Sequence, residues 1–452
     1  MRKFLPILLS IIGLASSLKA QWVSPGEGLI YTLPDLVAAT GGVVTNDGNV
    51  FTIHQDITIS ERDELLIDDQ VSRIDAPGVL ITINGTFNCN IAGDRVKLYG
   101  TENEHFSMRF ENAKNCLVNK MYFSDGAGIQ VIESDITFDD VKFVYFTTDY
   151  CNAVINIFNC DPVINNCFFM LNQGAAISSP ANGQSSPQIT NCELDANVNG
   201  MNVPQINLGP GSDDTIRIVG NNIHGTWAQF HTGGISVADL MGVGSTKVLL
   251  KDNIVKDGRY GYNQQGMTIS SLIEGNQFLT NYHEENPMNG GSGISIYGTS
   301  LNNKAIIRNN VIVGNLWGIT AIYLHDIDLG TEEDWGFNEI HDNVNNGVYY
   351  DLYNNSACNI MAVGNDWGTV NQRDIEGHIV HQVDDPSLGL VTFVPYVGYT
   401  ELDEIPLELS DIDLHKALIY TISGQRVKNT ETLTPGVYVV VTEHGTNKII
   451  IQ

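Results

Sequence analysis

The chain has 452 residues and carries 52 Asp and Glu against 23 Lys and Arg, a formal net charge of −29 at pH 7. A surface of that sign repels phosphate backbones and acidic lipid, which excludes nucleic acid and anionic membrane as partners. With 42% hydrophobic and only 17% charged residues the composition is that of a folded chain, and its 44 glycines call for many tight turns.

Residues 1–20 combine a basic start (Arg2, Lys3), an apolar stretch from Leu5 to Leu14 and small residues ahead of Gln21. This is the layout of a secretory signal peptide. Cleavage is expected after Ala20, with Ser17 as the alternative. Loss of Arg2, Lys3 and Lys19 leaves 20 basic residues against 52 acidic ones, a net of −32. No later apolar run has the length of a membrane span. The mature chain is therefore expected to pass through the periplasm and to be secreted or held at the outer-membrane surface.

Residues 21–49 are expected to form an N-terminal cap. From about residue 50 short strands begin, such as Phe51-Thr52-Ile53, Leu65-Leu66-Ile67 and Val79-Leu80-Ile81-Thr82-Ile83, which alternate with period two. Between residues 119 and 365 one phrase then recurs: Asn or Asp, any residue, a hydrophobic residue, and further on a Gly before Ile, Met, Ala or Val. The anchors are Asn119, Asp140, Asn166, Asn191, Asn221, Asp252, Asn276, Asn309, Asn338 and Asn365, spaced by 21 to 33 residues. A period in that range marks stacked supersecondary units. Stacking in register places like side chains above one another, so an inward Asn can bond its neighbours' amides while tolerating a left-handed bend. Gly at the second corner, as in Gly128-Ile129, Gly234-Ile235, Gly266-Met267 and Gly293-Ile294, serves the same turn.

This pattern resembles the right-handed parallel β-helix families, which include pectate lyases, polygalacturonases, alginate-processing enzymes and many surface proteins. The resemblance spans residues 50–397 and implies an all-β fold, a single-stranded right-handed parallel β-helix followed by a small antiparallel β domain. It is specific for fold and not for function. The polygalacturonase set of Asn-Thr-Asp, paired Asp, Gly-His-Gly and Arg-x-Lys is missing. So is the Asp-Pro-His signature associated with alginate epimerases, because Asp161-Pro162 and Asp385-Pro386 are followed by Val and Ser.

Six of the 7 cysteines (Cys89, Cys116, Cys151, Cys160, Cys167 and Cys192) fall in the early coils. Cys167 and Cys192 follow their anchors at equivalent positions, which favours a buried thiol stack over a disulfide framework.

Function is expected where the repeats are interrupted. The distance from anchor to Gly is 8 or 9 residues in five coils but 13, 14 and 17 in three consecutive ones (221 to 234, 252 to 266, 276 to 293). Insertions at one point of adjacent coils form a lip. The lip holds Trp227, Phe230, Tyr260, Gln264, Tyr282, Glu284 and Glu285, rings beside planar polar groups that would suit a polysaccharide; the plainer reading is that the rings pack the insertions onto the coil. A lyase acting on a uronate-containing glycan would need a base and a partner for the carboxylate. His231, Tyr262 and His283 are the candidate bases and Arg259 the candidate neutraliser. Downstream, Asp326 and Asp328 ahead of Glu332, Glu333 and Asp334 form an acidic run that would hold calcium or else make a solvated face.

The solenoid is expected to close at Trp367 and Pro395, with a linker over 398–409. Residues 410–452 change character to short antiparallel strands. Ile422-Ser423-Gly424-Gln425-Arg426-Val427, Gly436-Val437-Tyr438 and Lys448 resemble the sorting domain of the type IX secretion system, without its usual opening Pro-Asn-Pro, which implies a partner in that secretion machinery. Polysaccharide binding through the lip is the function expected first, ahead of a uronate lyase and of a stiff surface spacer without ligand.

Overall fold

The structure, a computed structural model, describes residues 21–198, 202–226, 231–284, 286, 288–399, 418–422, 424–427, 433–442 and 445–451. The chain divides into two compact units, Met1–Val397 and Gly398–Gln452. Among the described residues no helix is long and apolar enough to cross a membrane.

The first unit is a parallel β-helix of three faces. One coil runs through Gly126–Ile132 on the first face, Ile136–Asp139 on the second and Lys142–Val144 on the third. Each strand pairs in parallel with its equivalent one coil on, as Ile129 with Ile155, Phe138 with Ile164 and Phe143 with Phe169. Ser292–Arg308 and Trp317–Asp328 bend from the first face to the second without a break. Pairing begins at Trp22 with Ile57 and Ile30 with Glu64, so the segment expected as a cap already supplies strands. Helix Leu33–Ala39 follows, opened by a reciprocal capping box between Thr32 and Asp35, and it buries Leu33 and Leu36.

Alternation puts every second side chain inside, and stacking turns these into columns. Phe123, Phe143 and Phe169 lie ring on ring, with centroids 5.4 and 4.7 Å apart. The same third-face column continues as Leu194, Ile223, Val255, Phe278, Ile312 and Ile340, all buried. Each such side chain contributes about 1.5–3 kcal/mol by leaving water. The described cysteines are all free thiols. Burial holds the Cys89 thiol up at about 12, far from the thiolate, so it acts as a small apolar group.

The polar interior is organised as ladders. At the corner between second and third faces, Asn221, Asn253, Asn276, Asn310, Asn338 and Asn365 are buried. The Nδ2 of each donates to the Oδ1 of the next at 2.8–2.9 Å. In earlier coils Cys167 and Cys192 occupy this position, and the Cys192 amide donates to Asn221 Oδ1 at 2.9 Å. A second ladder at the corner between third and first faces runs Asn281, Asn315, Asn343 and ends on Asp351 Oδ1.

The sequence anchors mix two positions. Asp140, Asn166, Asn191, Asp252 and Asn309 are themselves the left-handed residue of the bend, with φ of 50–56°. Asn221, Asn276, Asn338 and Asn365 come one residue later and are the ladder; Gly220, Gly275, Phe337 and Gly364 make their bends. One motif thus hid two jobs, because amide side chains suit both a left-handed φ and a buried hydrogen-bond ladder.

The second unit contributes strands Leu418–Thr421, Arg426–Val427, Gly436–Thr442 and Gly445–Ile451 in one antiparallel sheet.

Candidate functional site

The first face carries an outward row that never leaves register. Thr58, Thr82, Arg109, Gln130, Asn156, Ser178, Asn207, Ser236, Asn263, Ser295, Thr320 and Tyr353 are successive partners along the stack. Each is flanked along its strand by a buried neighbour, as Asn156 is by Ile155 and Ile157. With coils ~4.8 Å apart this is an evenly pitched strip of amides and hydroxyls, in which Gln130, Asn156, Asn207 and Asn263 are half-buried while Thr58, Ser178, Ser236 and Ser295 are largely covered and Thr320 is fully buried. Adjacent members bond: Arg109 Nη1 donates to Gln130 Oε1 at 3.2 Å and Asn263 Nδ2 to Ser236 Oγ at 3.0 Å. Arg109 is the row's one cation, and Glu111 neutralises it with two bonds of 2.9 Å. Tyr150 leans over the upstream end, its hydroxyl donating to Gln130 Oε1 at 3.2 Å. Burial pushes its phenol up, against the lowering effect of Arg109.

One border of the strip is the corner where third-face strands return to the first. Here the structure revises the expected lip. The residue equivalent to Gly234 in the next coil is Gly261, not Gly266: a Cβ on Gly234 would meet the Gly261 carbonyl at 2.5 Å, and one on Gly261 the Gly293 carbonyl at 2.4 Å. Coil 252–266 therefore has no long insertion at that corner. The long connections are those from His224 to Gly233 and from Leu279 to Ser292, on either side of a short turn at 257–261.

That shift of five residues relocates two candidates. Tyr262 pairs with Ile235 and Ile294 and stands inside the barrel, fully buried. Its hydroxyl lies 3.2 Å from Gln264 Oε1 and 3.1 Å from Ser271 Oγ, and burial raises its pKa further from any use as a base. Gln264 is equally buried and donates to Asn303 Oδ1 at 2.7 Å. Neither reaches solvent, so both are corrected from site to core.

Arg259 crosses the lip. Its Nη1 donates to Asn202 Oδ1 and its Nη2 to the Asn289 carbonyl, while its Nε finds no acceptor among the described residues. Its guanidinium carbon lies 5.7 Å from the Tyr260 ring centroid. Tyr260 lies over Gly233, where a Cβ would strike the ring at 2.3 Å. Burial pushes the Tyr260 phenol up to about 12. Tyr282 and His283 contact edge to face at 5.6 Å. Burial lowers the His283 pKa, partly opposed by Asp257. Glu284 Oε1 accepts from the Asn286 amide at 3.0 Å, and His231 sits on an exposed turn. Trp227, Phe230 and Glu285 lie outside the described residues.

The acidic run is claimed by cations. Asp326 pairs with Lys304 at 2.9 Å, and Arg308, itself buried, pairs with Asp328 at 2.8 Å and Asp334 at 2.9 Å. These carboxylates face positive side chains, the opposite of an open calcium cage. No group of three or more His, Cys, Asp or Glu suited to a metal occurs among the described residues. Elsewhere a cavity of about 250 Å³ is bordered by Arg95, Asp140, Lys142 and Glu193. Arg95 bonds Asp140 across it.

Fold and row together define a parallel β-helix with one continuous polar face. A sequence family described as a protein of unknown function (DUF1565) matches residues 242–372, within the downstream part of the solenoid. No curated relative matches the chain. Among solved structures it is similar to the periplasmic alginate epimerase AlgG, at 11% identity and TM-score 0.46 over 81% of this chain and 83% of that one. A mutant of AlgG aligns over the same shares at 12% identity and TM-score 0.48, and a second over 80% and 76% at 12% and 0.42. Likeness at this level concerns coil stacking and carries no inference about substrate.

Proposed function

We propose that the protein is exported and binds polysaccharide along its first face, with the corner at 257–261 and 280–284 as its border. The observation that carries this is the row from Thr58 to Tyr353, in register through every coil between them, along which the amides of Gln130, Asn156, Asn207 and Asn263 reach the surface. A repeating row of amides and hydroxyls can hold a repeating, hydroxyl-bearing polymer by many weak bonds, whereas a small ligand would use only a few of them. Binding is preferred to lyase chemistry because Tyr262 is in the core and both terminal nitrogens of Arg259 are engaged. The surface amides at Gln130, Asn156, Asn207 and Asn263 set it apart from a bare spacer, which needs the register but not those side chains.

The double variant Asn156→Ala/Asn207→Ala is expected to weaken retention on the bound polysaccharide about tenfold in affinity electrophoresis, two lost hydrogen bonds amounting to ~1.4 kcal/mol. Thr137→Ala/Gln188→Ala, outward on the second face, is the control. Equal retention by both doubles would rule the row out.

Export is part of the same proposal. Its support is the leader-like start together with the antiparallel C-terminal strands bearing Arg426–Val427 and Gly436–Thr442. Deleting residues 410–452 is expected to leave the protein in the periplasmic fraction on immunoblots of separated cell compartments. Undiminished protein outside the cell would remove the sorting role.

A further inference from the structure

The row is charged at one end only. Arg109 and Glu111 lie upstream, whereas residues 263–273, 292–303 and 317–324, which build the downstream first face and its outer corner, contain no charged side chain. At that corner Gly266 pairs with Gly298, and Gly298 with Tyr323. Tyr323 adopts φ 60°, a left-handed conformation that a bulky aromatic rarely takes. The result is a ring held out from the sheet, 54% exposed. Tyr297 meets it edge-on, with centroids 5.1 Å apart and planes at 87°. Tyr297 stands two residues after Ser295, so its ring and the row share one face. Met267, Leu301 and Leu324 are exposed beside them. Nothing in the packing requires an exposed tyrosine at this strained position, since glycine fills it in both preceding coils.

We infer that Tyr297 and Tyr323 are a stacking subsite for an uncharged pyranose chain, at the downstream end of the polar row. The assignment rests on the glycan-binding reading above and adds to it the ligand's class. Rings stack on the apolar face of a sugar while Asn263 and Gln265 bond its hydroxyls. A polyuronate would bring a carboxylate per sugar onto a surface where Lys304, the cation that follows residues 292–303, is already paired with Asp326 at 2.9 Å, in a chain of net charge −29.

The test is affinity electrophoresis of the full mature chain against glucan, xylan and mannan on one side and polygalacturonate and alginate on the other, at low and high salt. Retention by a neutral polymer, insensitive to salt, is expected. Tyr323→Gly relieves the backbone, so its melting temperature should not fall, yet binding should weaken at least tenfold. Tyr297→Ala should behave likewise, and Tyr323→Phe should bind within twofold of the parent. If Tyr323→Gly and Tyr297→Ala bind like the parent while Asn156→Ala/Asn207→Ala does not, the subsite is wrong and the row stands. Retention by uronate polymers alone, lost at high salt and in Arg259→Gln, overturns the uncharged class. If no polymer in the panel is retained, the glycan-binding reading falls and this inference with it.

Discussion

Replacing Asn310 by alanine is expected to lower the stability of the solenoid by about 3–5 kcal/mol. Asn310 Nδ2 donates to Asn338 Oδ1, to the Ile273 carbonyl and to the Arg308 carbonyl at 2.8–2.9 Å. Its Oδ1 accepts from both the backbone and the side-chain nitrogen of Asn276 at 2.9 Å. Alanine removes the hub and strands donors and acceptors from three coils where water does not reach. Asn310→Asp should be no better, since it replaces a donor by a second acceptor facing Asn338 Oδ1. Because each coil contacts only its neighbours, the loss should be local before it is global. Hydrogen exchange read by mass spectrometry should show accelerated exchange at residues 273–276 and 338 well before the upstream coils respond. The converse substitution, Cys192→Asn, would extend the ladder by one rung and should cost little or nothing. A denaturant midpoint for Asn310→Ala within experimental error of the parent would remove the ladder as a source of stability.

Acid should destabilise the downstream end through His325. The residue is 1% exposed. Ser356 donates to Asn354 Oδ1 at 2.7 Å, which leaves its oxygen to accept from His325 Nε2 at 2.8 Å. The imidazole is thereby fixed as the Nε2–H tautomer, and its Nδ1 has no partner among the described residues. A proton added there would be buried without an acceptor. Burial accordingly lowers the pKa to about 4, with Asp326 opposing. Between an unfolded value near 6.5 and about 4 the unfolded chain binds a proton that the folded chain refuses. Stability is therefore lost as pH falls through that window, by about 3 kcal/mol, and this group contributes no further loss below it. His325→Gln, neutral at every pH, should flatten the fall between pH ~6.5 and ~4 in urea titrations. An unchanged slope would place the acid sensitivity elsewhere.

The fold was legible because each coil repeats the same demands. Asn and Asp at the bend, glycine at the close approach and alternating Ile and Val report backbone geometry, which a sequence expresses locally. The site was less legible, and Tyr262 shows why. Two glycines lie near the right distance from Asp252, and only packing against Gly293 shows that Gly261 is the structural one. Choosing Gly266 moved Tyr262 and Gln264 from core to lip. The polar row was in view but dispersed. Gln130, Ser236, Ser295 and Thr320 each follow a Gly-Ile pair, yet each alone is an ordinary polar residue of a strand. Alternation says that they point outward without saying that they share one of three faces. Tyr323 gave no sequence signal at all, since its φ depends on which residues stack beneath it.

The ladder has a direction. Each amide passes its N–H toward the C-terminal neighbour, so the dipoles along Asn281, Asn315 and Asn343 align like the peptide units of a helix, with the positive end downstream. That end meets the buried carboxylate of Asp351, whose other oxygen lies 2.9 Å from His378 Nδ1. A full or partial negative charge at the terminus of aligned dipoles is favourable for the same reason as an acidic residue at a helix N-terminus. The stack is therefore polar in the electrical sense, and its coils are not interchangeable. A shortened solenoid cut after Asn343 would need a new acceptor in place of Asp351, and two such ladders abutted downstream end to downstream end would set donor against donor at the seam.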